Sequence, residues 1–194
     1  MIRLVTDLER GSEVEVVSEV ELIDWDPEGE RKMLAAMLYP YSRASERQLV
    51  ALVDQMSADE KLEVVKRYVG ERGNRRHRPG RALERLDYRF DILGDYGGFR
   101  DMQRHRLLTI EWQSLSPDHG YEVPEAIQAA GLTDRYVGVM ERSKALYELL
   151  EPDYPEQAAY AGSMAFRVRY VMQFNAREAL HMLELRSQPQ GHPN

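Results

Sequence analysis

The chain has 194 residues, enough for one domain with a buried core, and its 43% apolar and 30% charged residues are the mix of a globular protein. The net charge of −7 disfavours binding to nucleic acid or an anionic membrane. No apolar run reaches the roughly 18 residues that span a bilayer, and Met1-Ile2-Arg3-Leu4 opens no secretory signal, so a cytoplasmic protein is expected.

The valine-rich run 12–25 predicts one or two short strands. From Glu28 the pattern becomes helical, with Met33, Leu34, Met37 and Leu38 on one stripe and Pro40 ending it. Ser45 is placed to cap a second helix carrying Leu49, Leu52, Val53 and Met56. Ser57-Ala58-Asp59-Glu60 reads as a capping box opening a third, with Leu62, Val65 and Val69 inward. The breakers in Gly70 to Gly80 predict a loop.

Leu86, Tyr88, Phe90 and Ile92 alternate with polar residues, which predicts a strand broken at Gly94, Gly97 and Gly98. Phe99 to Leu108 reads as helix and 113–123 as loop. Pro124 and Gly131 bracket a short helix, Thr133 to Leu150 form a long one, and 155–164 are expected to be helical. Alternation from Phe166 to Phe174 gives a second clear strand. The last helix starts at Asn175, a natural N-cap, and runs to about Arg186. The fold class is α+β: helices packed around a small antiparallel or mixed sheet.

Chemistry concentrates in three places. Ten arginines fall between Arg72 and Arg106, which points to a local anion site inside an acidic protein, or else to a solvated basic face. Within this stretch the loop 74–84 could present backbone N–H groups and arginines to a pyrophosphate, or be a basic surface loop. Arg104, His105 and Arg106 are consecutive; on a helix they would fan over about 200° and touch different groups of one large ligand. The guanidinium fork suits phosphate and carbonyl oxygens, and Ser114 follows as a phosphate contact. On the last helix Ala176, Ala179, Leu180 and Leu183 form the expected apolar stripe, with Arg177, His181 and Glu184 opposite. Without cysteine there is no disulfide, thiolate ligand or thiol nucleophile. The five histidines have no metal-ligand spacing, so no metal site is expected.

These segments together resemble the flavin-dependent thymidylate synthases, the ThyX type. Arg104-His105-Arg106 through Thr109 to Ser114, then Asn175-Ala176-Arg177 through His181 to Leu185-Arg186, match two motifs of that family in order and separation. A Gly73 to Pro79 to Glu84 loop before a strand matches a third feature. The resemblance covers about 60–190. It implies FAD held between subunits of a dimer or tetramer and reduced by NADPH. It further implies transfer of a methylene carbon from methylenetetrahydrofolate to dUMP, giving dTMP. It assigns Glu84, Arg104, His105, Arg106, Asn175, Arg177 and His181 to the flavin, and Arg104, Ser114 and Arg186 to the nucleotide and its chemistry.

The sequence also departs from the family. Leu115-Ser116-Pro117 stand where the family has Gly-Arg-Tyr, Asp101 where it favours glutamine, Glu111-Trp112 where it has Asn-Glu, and Ala159 where an arginine is expected. The family continues with further helices beyond the Leu-Arg motif. The chain therefore reads as one ThyX-like domain over 1–194, either a truncated member or one domain of a two-domain member. Three functions stay open: a methyltransferase with a diverged substrate site, a catalytically inactive flavin- or nucleotide-binding and oligomerisation module, and a domain that holds a different anionic ligand on the basic loop 74–81.

Overall fold

A computed structural model describes residues 2–10 and 18–188. Helix α1 (Ile2–Leu8) precedes strand β1 (Val20–Trp25); the rest of the predicted 12–25 strand region, up to residue 17, lies outside the described residues. Three helices follow: α2 (Gly29–Leu38), α3 (Glu46–Val53) and α4 (Ala58–Val69). Both α3 and α4 open on complete capping boxes, Ser45 with Gln48 and Ser57 with Glu60, so the expected helix starts are met by reciprocal hydrogen bonds. Leu34, Met37, Leu49 and Val53 bury the contact between α2 and α3. Ala82 and Leu83, from the 3-10 turn Arg81–Arg85, join the same core.

The sheet is antiparallel throughout, formed by β1, β2 (Asp87–Asp95), β3 (Leu108–Trp112) and β4 (Arg167–Asn175) in the order β1-β2-β4-β3. Strand β2 does not stop at Gly94: that residue pairs with Val168 and Asp95 with Arg167. A ladder flanked by a strong partner strand tolerates one glycine at modest cost. Helix α5 (Tyr96–Met102) then starts through Gly97 and Gly98, with Asp95 accepting from the Gly98 N–H. The expected helix from Phe99 to Leu108 is therefore corrected at both ends. It begins earlier and stops at Met102, and Leu108 to Trp112 form β3 against β4.

Helix α6 (Glu125–Ala129) follows Pro124, and Gly131 takes the left-handed φ of 68° after it. Helix α7 (Thr133–Leu150) is as expected. Only Pro155–Ala158 (α8) and a 3-10 turn Ala159–Ala161 form from the expected 155–164 helix. Helix α9 (Ala176–Arg186) follows β4 directly, capped by the Asn175 side chain, which accepts from the Glu178 N–H. Phe99, Val168, Tyr170, Met172, Phe174 and Met182 make a second core between α5, the sheet and α9. Ala176 and Leu180 pack on the first core and Ala179 on the second, so α9 wedges between them. The predicted stripe on α9 needs correction: Leu183 is 59% exposed, whereas Glu178 and Met182 are buried.

Candidate functional site

The turn between α5 and β3 carries Arg104, His105 and Arg106, held by the His105 N–H to Met102 carbonyl bond of 3.0 Å. They lie outside the helix that was expected to carry them. His105 points inward, and Arg104 and Arg106 are exposed on either side. A turn thus gives the separation of directions that a helical fan was expected to give.

His105 Nδ1 lies 2.8 Å from Glu178 Oε1, with both side chains 2% exposed. On the other edge of the ring, Arg186 Nε–H donates to His105 Nε2 at 3.1 Å. Arg186 also donates to the Asp101 carbonyl at 2.9 Å and pairs with its carboxylate at 3.0 Å. The two motif segments are therefore joined: the turn 103–107 and α5 are pinned to α9 through one imidazole and one guanidinium. An arginine N–H can only donate, so Nε2 must accept and the proton sits on Nδ1, donated to Glu178. Asp101, the departure from the family pattern, is a paired carboxylate, with Arg104 a further 3.6 Å contact.

His181 lies on the same rim, 56% exposed, its Nδ1 3.4 Å from Glu178 Oε1 and its ring edge-on to His105. His105, Glu178 and His181 thus place three ligand-type atoms within 4.8 Å of one another. A metal-bound histidine normally donates its second ring N–H to an acceptor. Here Nε2 faces an arginine donor instead, so the cluster is built for hydrogen bonding.

Arg177, in the first turn of α9, turns the other way. Its Nε–H donates to the Pro79 carbonyl at 3.0 Å and its Nη1–H to Glu84 at 2.8 Å. Glu84 also accepts from Arg81, and these two guanidiniums, Arg81 first, hold its carboxyl below the usual range. Arg72 donates two bonds to Glu184 at 2.6 and 2.8 Å, closing the basic loop onto α9. Ser114 is exposed just past β3, and Ala159 lies in the 3-10 turn Ala159–Ala161. The loop, the Arg-His-Arg turn and the Asn-Ala-Arg helix therefore meet at α9.

Beside Asp101 and Arg186 opens a cleft of about 760 Å³, with Phe99, Met102, Tyr136, Tyr170 and Arg167 among its walls. The Tyr170 hydroxyl is pushed up to about 12, by burial first and then by Asp95. The cleft thus has aromatic and aliphatic walls and two sets of ion pairs, Asp101 with Arg186 and Arg167 with Glu19 and Glu122. Its size and character suit a planar heterocycle. Sequence reasoning did not find Glu178, because an acid in the first turn of a helix ordinarily reads as a favourable exposed charge.

This architecture defines a fold class already represented among solved structures. The flavin-dependent thymidylate synthase ThyX of Helicobacter pylori, solved with FAD and dUMP, matches with a TM-score of 0.63 at 19% identity, over 90% of this chain and 87% of that one. A UMP/dUMP methylase, PolB of Streptomyces cacaoi bound with 5-Br dUMP, matches at TM-score 0.68 and 16% identity, over 90% and 82%. At the level of sequence, the family described as thymidylate synthase complementing protein matches residues 21–194, and the chain belongs to that family. It is 40% identical over 175 residues to a UPF0159 protein of Chlamydia pneumoniae, covering 90% of this chain and 33% of that protein. It is 33% identical over 177 residues to a UPF0159 protein of Thermoplasma acidophilum, covering 89% and 35%. The chain spans about a third of the length of these curated relatives.

Proposed function

We propose that the chain is an FAD-binding, ThyX-like domain that works on a pyrimidine nucleotide. Its reaction is methylene transfer and reduction from dUMP to dTMP, with methylenetetrahydrofolate as carbon donor and NADPH supplying the reducing equivalents. The observation that carries this reading is the joining of the Arg104–Arg106 turn to α9 through His105, which leaves Arg104 and Arg106 exposed on the turn. That donor set fits a dinucleotide. Exposed arginines can donate to a pyrophosphate, and the aromatic-walled cleft accepts a flat ring.

When bound, the flavin would supply the hydride. The chain's own groups would do the rest. Arg104, Arg106 and Arg177 would hold phosphate and ring oxygens, Asn175 would cap α9, and His181 and Glu84 would contribute from either side of α9. Ser114 and Arg186 would meet the nucleotide, with Arg104 between the two ligands. Guanidiniums around a uracil ring favour charge developing on it, and so activate the ring without a thiolate.

The exposed apolar surface supports assembly with a further subunit or domain. Val20, Leu22, Ile23 and Trp25 on β1 and Trp112 on β3 lie open at both sheet edges. The accessible area of 14239 Å² stands well above the roughly 9,500 Å² of a compact chain of 22.5 kDa. Self-association as a dimer or tetramer would cover such faces.

A second reading, a binding module without turnover, is favoured by the Asp101–Arg186 pair, which neutralises one guanidinium of the nucleotide end. The two are separated by adding FAD and dUMP in turn to the purified protein, then assaying dTMP with methylenetetrahydrofolate and NADPH. Flavin binding with product supports the enzyme. Binding of flavin or dUMP without product supports the module, and a protein that takes up neither contradicts both.

A further inference from the structure

Glu178 is the least expected charge in the molecule. Its carboxylate is 2% exposed, yet its closest partner is an imidazole rather than a lysine or arginine. Burying an ionised carboxylate is unfavourable unless hydrogen bonds and nearby positive charge offset it. The N-terminus of α9 offers a small part of that. Packing alone gives no reason for an acid here, since Met172, Phe174 and Met182 form an apolar core on the same side of the helix. A buried acid retained on such a face is best explained by what it holds.

What it holds is a ring. Glu178 and Arg186 lie two helical turns apart on α9, and the His105 ring fills the gap between them. It donates through Nδ1 to Glu178 at one edge and accepts at Nε2 from Arg186 at the other. Both ring nitrogens are thereby used within the chain, and the ring is buried. Neither ring nitrogen of His105 is left to offer a flavin. The far side of the Arg186 guanidinium, in contrast, meets Asp101 and borders the cleft.

We propose that Glu178 and His105 are positioning residues for Arg186. Glu178, an acceptor only, fixes the proton of His105 on Nδ1. The bare Nε2 then captures Arg186 Nε–H and leaves the other two guanidinium nitrogens on Asp101, at the border of the cleft. This replaces direct flavin contact as the role of His105. The surrounding charges agree with it: Glu178, His181 and Arg186 come from α9, Asp101 from α5 and Arg104 from the turn. Arg186 is the only donor that reaches Nε2 among the described residues. The consequence for nucleotide binding rests on the reading of Arg186 given under Proposed function; the hydrogen-bond relay itself does not.

Two measurements separate these levels. In the first, ¹⁵N NMR of the ligand-free full chain reads the His105 tautomer and the solvent exchange of Arg186 Nε–H. The expected result at neutral pH is a proton on Nδ1 and a slowed Arg186 Nε–H. That slowing should vanish in Glu178→Ala and persist in Glu178→Gln, whose amide oxygen can accept the same N–H. A proton on Nε2, or Arg186 exchange indifferent to Glu178→Ala, would overturn the relay.

In the second, dUMP affinity is titrated in the same variants. Glu178→Ala and Arg186→Ala should each weaken it about tenfold, the double variant little further, and Glu178→Gln should be close to wild type. Equal damage from Gln and Ala would show that Glu178 acts by its charge and would reject the positioning role. A wild-type protein with the expected tautomer but no dUMP binding would reject the nucleotide reading and leave the relay standing.

Discussion

Arg177 and Glu84, 93 residues apart in sequence, are joined at 2.8 Å, and the same guanidinium takes the Pro79 carbonyl at 3.0 Å. One side chain in the first turn of α9 thereby fixes the exit of the basic loop and the 3-10 turn that follows it. Arg177→Ala should lower flavin affinity tenfold or more in a fluorescence titration, and lower stability by about 1 kcal/mol in urea. Glu84→Gln keeps the shape but removes the counter-charge. It should cost no more than about 1 kcal/mol, since both groups are about a quarter exposed.

Gly80 sits where a Cβ would overlap the Tyr68 ring. The Tyr68 hydroxyl accepts from the Ala82 N–H at 3.0 Å and anchors the turn that carries Glu84. Gly80→Ala should therefore destabilise the protein by about 1–3 kcal/mol. It should also weaken flavin binding more than an equally destabilising change in α3. Equal effects of the two on affinity would mean that loop position does not matter to the site.

Ser45 and Ser57 each cap a helix through a complete box and share no partner. Ser45→Ala and Ser57→Ala should each cost about 1 kcal/mol. The double variant should lose their sum, seen as a lower urea midpoint at constant m. Flavin affinity should not change, because neither box touches the site.

Acid should weaken the attachment of the basic loop. Glu84, held low by Arg81 and then Arg177, and Glu184, held low by Arg72, both have folded values below the ordinary 4.5. Above that value both are ionised folded and unfolded, and their contribution is complete. As pH falls below 4.5 the unfolded chain takes up protons first, so the contribution shrinks and is lost through the folded values. Arg72→Ala should flatten this part of the stability profile; an unchanged slope would show that Glu184 gains nothing from its partner.

The parts of this fold governed by local rules were legible in the sequence. Alternation from Tyr88 to Ile92 and from Phe166 to Phe174 marked the two central strands, and Ser45, Ser57 and Asn175 marked helix starts by their capping chemistry. Strand β3 was missed because Leu108 to Trp112 is an edge strand whose pairing comes from β4, some sixty residues away. The run through Gly94 misled because the ladder with Val168 outweighs the glycine. Arg104, Arg106 and Arg177 were singled out by residue type and motif. The inward turn of His105 and the buried partner Glu178 depend on the docking of α5 against α9, which no local pattern encodes.

The central claim is that the Arg104–Arg106 turn and the start of α9 form one site for a phosphorylated flavin. A double-mutant cycle on FAD affinity, using Arg106→Ala, Arg177→Ala and the pair, tests it most directly. The expected result is a loss of about tenfold or more for each single variant and a double variant that loses less than the product. Full-strength FAD binding in both single variants would contradict the claim.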